Sequence, residues 1–294
     1  MPFDNLPYAD QMAKHGFVAA DHRAPRFFPV AARRMFDETG AELPGWKRIV
    51  REDDGRTLHV ATDAYEIVTN EEAFAAFEEA IRSSTLRWQT MQIGTDFSHQ
   101  GARVFRQYLF PEHIVPVKRG VDVALRILML NSYDGSLAFR GSAGAFNFVC
   151  ANTAILGKEV AGFRFKHGKS ADVTRSARML VEAAEGFIEE TRRWQEWPTI
   201  PVADADALGI FRALPQSTPT LEGELARRWL IARDTDEFQG GANLWALFNV
   251  LTAWATHEKV KETARANFAA TRHEREVRVQ KLLASSAWRK LEDA

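Results

Sequence analysis

The sequence predicts an α+β fold, in which a curved antiparallel β-sheet is covered by helices and a helical C-terminal region follows. Three observations carry that prediction. Residues 101–166 are mostly β-like runs joined by short connections, which favours an antiparallel meander. Asp54-Gly55 and Asp134-Gly135 each stand between apolar runs, and Asp-Gly marks hairpins because both central turn positions take positive φ. After Ser170 the apolar period changes from that of a strand to that of a helix.

Taken in order, residues 1–45 show no clean period, are interrupted by Pro25, Pro29 and Pro44, and read as an N-terminal arm or cap. Residues 46–170 are the expected β-rich core. Runs at 47–51 and 57–61 flank the first hairpin turn, and residues 65–69 read as a further strand. Thr69 and Glu72 have the spacing of a capping box, and Phe74, Phe77 and Ile81 share one stripe of the helix it starts. Strand candidates follow at 101–110, 124–130, 137–140, 145–150 and 162–166.

Residues 171–294 are the expected helical region, packing on the sheet. Val173, Ala177, Leu180, Ala184 and Phe187 trace one face of a helix that Pro198 and Pro201 stop. A polar linker leads to a helix near 221–232. Leu244, Leu247, Phe248, Leu251 and Trp254 mark the clearest amphipathic helix, and a charged helical stretch ends the chain.

With 294 residues, 46% of them hydrophobic, the chain is long enough for a full core. It has no apolar run long enough to span a membrane, and residues 1–7 lack the pattern of a signal peptide, so a cytoplasmic location is expected. One cysteine, Cys150, excludes an internal disulfide and an all-cysteine zinc site. The net charge of −1 is unevenly spread: −6 over residues 1–80, +8 over 81–180 and −3 over 181–294. A local basic face can attract polyanions even when the whole chain does not.

No catalytic set stands out. Cys150, His167 and Asp134 could in principle form a nucleophile, base and orienter, but Cys150 alternates with Phe146 and Phe148 and reads as a core thiol. The eight histidines are dispersed without metal-ligand spacing. The glycines of 141–145 precede a strand and lack the Lys-Ser/Thr ending of a phosphate-binding loop. Neither a metal nor a cofactor is expected.

Two constellations remain. Asn131, Ser132, Asp134, Asn147, Asn152 and Thr153 place polar groups near one predicted sheet end, as a pocket for a small polar or phosphorylated ligand. The competing explanation is turn chemistry, since these residues bond their own backbones. Arg103, Arg106, Arg126, Arg140, Arg164 and Lys166 interleave with Phe105, Tyr108, Phe110, Phe146 and Phe163. Cations that track phosphate beside rings that stack bases suit single-stranded nucleic acid. The competing explanation is ordinary amphipathicity, and it is favoured for the rings, which are usually core.

The segments 65–74, 130–136, 149–153 and 249–257, in that order, resemble the phage/plasmid-like proteins that carry domain of unknown function 932, over roughly residues 45–260. That resemblance implies an association with mobile-element DNA metabolism, hence replication or recombination. The expectation is therefore an accessory protein that binds single-stranded DNA and assists recombination or annealing, without a cofactor. The alternatives are an enzyme or binding protein acting at the Asn131/Asp134/Asn152 pocket, and an assembly protein that forms a homo-oligomer through Trp245, Trp254 and the C-terminal helix.

Overall fold

The computed structural model describes residues 9–20, 27–137, 139–148, 152–155, 162–165, 173–187, 191–234, 241–260 and 267–294. It has two antiparallel sheets. The smaller is a three-stranded meander of β2 (Val30–Phe36), β3 (Glu42–Arg51) and β4 (Thr57–Thr62). The β3–β4 turn contains the expected Asp54-Gly55, with Gly55 at φ 72°. Residues 30–45, expected as part of an arm, instead supply β2 and the start of β3.

The larger sheet runs β1 (Val18–Ala19), β5 (Gln92–Ser98), β6 (Arg103–Lys118), β7 (Val121–Ser132) and β8 (Phe139–Asn147). Along the far edge of β8 lie β9 (Thr153–Ile155) and β10 (Gly162–Phe165). Register is continuous through the middle, with Arg126 opposite both Leu109 and Gly144. The candidates at 137–140 and 145–150 merge into β8.

Residues 65–69 form no ladder. They are anchored by side chains instead: Tyr65 Oη donates to the Ser132 carbonyl at 3.3 Å, and Asn131 Nδ2 donates to the Val68 carbonyl at 2.9 Å. The capping box then forms as the spacing predicts and starts α2 (Asn70–Arg82), the second helix after the short α1 (Ala9–Lys14). Phe74, Phe77 and Ile81 are buried on its inner side.

Among the described residues the further α-helices are α3 (Val173–Glu185), α4 (Asp204–Ala213), α5 (Pro219–Asp234), α6 (Leu244–His257), α7 (Phe268–Leu283) and α8 (Ser286–Glu292). α6 is buried around almost its whole circumference, not on one stripe. Trp194 and Trp197 pack on it, with the Trp194 ring 6.1 Å from Trp245 and the Trp197 ring 5.1 Å from Phe248.

Both faces of the larger sheet carry helices, and this decides where its polar residues go. Residues directly opposite in register share a face. Arg106, Tyr108, Met129 and Asn131 therefore face α2, where the Tyr108 ring lies 4.9 Å from Phe77. Arg103, Phe105, Gln107, Arg126, Leu128 and Arg140 face the other way, where α7 covers the middle of the sheet. Among the described residues no helix is long and apolar enough to cross a membrane.

Candidate functional site

Of the arginines expected to track phosphate, Arg106, Arg126 and Arg140 bond to side chains of the covering helices, and Arg103 bonds to the Asp134 turn. Arg126 is buried and donates to both oxygens of Glu276, at 3.0 and 3.3 Å, and to Gln107 at 2.8 Å. Arg106 is buried against α2, donating to Glu78 at 3.0 Å, Thr95 at 3.1 Å and Tyr108 Oη at 3.1 Å. Arg103 donates to Asp134 at 2.7 Å, and Arg140 meets His273 at 2.7 Å. Arg164 is opposite Arg140 in register, while Lys166, Cys150 and His167 lie outside the described residues. Because two helical layers cover the sheet, Arg103, Arg106, Arg126 and Arg140 form no common open track. Phe105, Tyr108, Phe110 and Phe146 are core residues.

The seam under α7 is polar. Glu276 also accepts from Thr153 Oγ1 at 2.5 Å, and Arg272 Nε lies 3.9 Å away. Burial pushes the Glu276 carboxyl up, but the charges of Arg126 and Arg272 outweigh it and hold the group below the usual range. His273 is driven down to about 3, first by burial and then by Arg140, so it is neutral near pH 7. Its Nε2 then accepts from Arg140. A neutral histidine and a compensated carboxylate carry the fold here.

The expected polar pocket is divided between the two ends of β7. Asn131 pairs with Val104, whereas Asn147 pairs with Val123. Eight residues of strand, at roughly 3.3 Å each, put about 26 Å between the two groups. At the first end, Asn131 Nδ2 donates to Asn70 Oδ1 at 2.9 Å, and the Asn70 amide donates to Tyr133 Oη at 2.8 Å. These bonds clamp the N-terminus of α2. Ser132 Oγ and the Leu137 backbone exchange two bonds across the turn. Asp134 accepts from Ser136 and Arg103; burial raises its carboxyl, and those bonds more than offset the rise. The Asp-Gly turn is docked on the small sheet, because a Cβ at Gly135 would stand 3.2 Å from the His59 ring.

At the second end, Asn152 Nδ2 donates to Asn249 and to Thr252 Oγ1, while the Thr153 amide donates to Thr256 Oγ1 at 3.0 Å. Asn249, Thr252 and Thr256 are one helical face of α6, so this polar cluster is the seat of β9 on that helix. The enclosed void is about 10 Å³, at most the room for one water. Trp245 and Trp254, expected at an oligomer contact, are buried within the chain.

Sequence reasoning found the β3–β4 hairpin of the small sheet but passed over its exposed face. Arg33 pairs with Arg48 and Arg48 with Val60, while Trp46 pairs with Thr62. These five residues share one face, and all are exposed. The other face buries Ile49 and Ala61 beside Tyr133. Six of the eight tryptophans are buried and Trp88 is partly so; Trp46 alone is half exposed, at 50%. Phe36, at the end of β2, is 57% exposed. The alternation Trp46-Lys47-Arg48 carried this signal, opposite a neighbouring Arg33-Arg34.

Next to this sheet is an open groove of about 570 Å³ lined by Phe27, Phe28, Phe97, Arg51, Arg56 and Gln100. A second hollow, about 630 Å³, lies between α5 and the end of α6; there Arg228 is shared by Glu224 and Glu258, and His257 is the one ring in its lining among the described residues. Among the described residues no three His, Cys, Asp or Glu side chains are grouped to hold a metal ion.

The family described as Domain of unknown function (DUF932) matches residues 57–288. No curated protein and no solved structure matches the chain.

Proposed function

We propose that this chain, which belongs to that family over most of its length, holds single-stranded nucleic acid on the open face of its small sheet. In our reading the bound strand is presented for annealing or recombination. The observation that carries this reading is Trp46, half exposed on a strand face that also bears Arg33 and Arg48. Val60, 41% exposed, shares that face with Trp46, and exposed apolar side chains grouped on one face mark interaction sites. Base stacking on such a ring is worth about 1–3 kcal/mol per base, and it tolerates any sequence.

The charges suit the task. Arg33 and Arg34 pair with Glu52 and Glu42 in exposed ion pairs, which contribute little and exchange readily for phosphate. Asp37, Glu38, Asp53 and Asp54 lie in the turns at the sheet's ends, away from the strand centres. Annealing needs no nucleophile; it needs a surface that keeps a strand extended with its bases accessible. The larger sheet, closed by helices on both faces, then serves as the scaffold.

Fluorescence anisotropy of labelled single- and double-stranded oligonucleotides, at low and moderate salt, tests this. Preference for the single strand, weakening steeply with salt, is expected. Absence of binding at low salt would remove the proposal.

A further inference from the structure

We propose that the groove beside the small sheet is a nucleobase slot, which takes one base of the strand held by the neighbouring Trp46 face. The inference rests on the strand-binding reading for its physiological occupant, but not for its geometry. Phe97 forms the back wall, with its ring 6.4 Å from Phe27 and 5.9 Å from Phe28. The guanidinium of Arg51 lies over Phe28, 3.8 Å from the ring centroid. A volume of about 570 Å³ is within the usual range for small-molecule sites.

Two further features make this a built site. Arg51 is fixed from several sides: Nε and Nη2 donate to Asp53 at 2.9 and 2.6 Å, and Nη1 reaches the Gln100 carbonyl at 3.4 Å. Beside Arg51, Gln100 and Gly101 line the groove, and with the preceding His99 they have positive φ, at 58°, 95° and 52°. Two consecutive non-glycine residues in the left-handed region are strained, and such strain gathers at ligand clamps. A Cβ at Gly101 would stand 3.0 Å from both Arg51 Nη1 and the Phe28 ring, so the backbone itself closes on the slot.

The charge balance selects the ligand. Asp53 compensates Arg51, and Asp54 lies 3.7 Å from both Arg51 and Arg56. A net-neutral slot lined with rings favours a flat uncharged heterocycle over a phosphate. The spare lone pairs of Asp53 and the Gln100 amide suit the amino group and ring nitrogens of a base such as adenine. Arg51 is three residues beyond Arg48, near the end of β3, and by alternation points to the opposite face with Ile49, so a strand held on the Trp46 face reaches the slot by turning round the end of the sheet.

The test is titration with adenosine, which has no phosphate, followed by thermal shift and by NMR of the full chain. Adenosine is expected to raise the melting temperature, with an affinity that changes by no more than about twofold between low and moderate salt. Arg51→Gln and Phe28→Leu, each shown folded by circular dichroism, are expected to weaken adenosine about tenfold, the loss of one stacking contact. Trp46→Ala should leave adenosine binding unchanged while weakening oligonucleotides. Oligonucleotide binding without adenosine binding, or adenosine binding indifferent to both groove variants, overturns the slot and leaves the strand-binding reading intact. Adenosine binding without oligonucleotide binding does the reverse.

Discussion

Glu276 turns both carboxylate oxygens onto the guanidinium of Arg126, and neither side chain meets solvent. The pair ties α7 to the centre of the larger sheet. Removing one partner strands a buried charge, so Glu276→Ala should lower stability by about 3–5 kcal/mol. The double variant Arg126→Met, Glu276→Leu should recover most of that loss, because two apolar groups leave no charge to compensate. Urea unfolding of the three proteins checks this; equal losses in the single and double variants would mean the pair is not the cause.

His273 makes the same seam sensitive to acid. Its folded value is about 3, against about 6.5 for a free histidine. Between those values the unfolded chain takes up a proton that the folded chain refuses. The stability that neutral His273 provides is therefore complete above pH 6.5 and is lost as pH falls, by about 1.4 kcal/mol per unit. His15, His99 and His113 are also lowered, each mainly by burial, and act in the same direction. His273→Gln should reduce the slope of stability between pH 7 and pH 5 without abolishing it. An unchanged slope would show that His273 titrates normally.

The Asn131 and Tyr133 side chains should matter for folding and not for ligand contact. Asn131→Ala removes two bonds that hold the start of α2, and Tyr133→Phe leaves the Asn70 amide without its acceptor. Each should lower stability by about 1–3 kcal/mol, the penalty for an orphaned buried polar group. Their affinity for single-stranded DNA, measured where both variants are folded, should match that of the unaltered protein.

The parts of this fold that show in the sequence are those set by local chemistry. Thr69 with Glu72, the two Asp-Gly turns and the apolar stripe of α2 each give their structure away within a few residues. What does not show is which face of a strand will be covered. Arg126 and Arg140 alternate with apolar residues as though exposed, and only α7, more than a hundred residues later, covers them through Glu276 and His273. The polar residues expected in one pocket lie apart for a related reason: Asn131 and Asn147 are close in sequence, but a full length of β7 separates them. β5 does not show because Gly94 and Asp96, both poor strand formers, stand between Ile93, Thr95 and Phe97. α4 was missed because its Ala207, Ile210 and Phe211 stripe lies in a polar, proline-flanked stretch.

The exposed face of the small sheet should be separable from the fold. Arg33→Ala and Arg48→Ala alter side chains that water already surrounds, so each should change stability by no more than about 0.5 kcal/mol. Together they should flatten the salt dependence of strand binding, since two fewer phosphates are neutralised, lowering the slope of log affinity against log salt by about 1.4 for a single strand. A slope that does not move would place the phosphate contacts elsewhere.

The most direct measurement is the dissociation constant of a labelled single-stranded oligonucleotide for the unaltered protein and for Trp46→Ala, compared at equal salt. Loss of one stacking ring should weaken binding by about 5- to 150-fold while the melting temperature stays the same. Equal affinities for the two proteins would contradict the account.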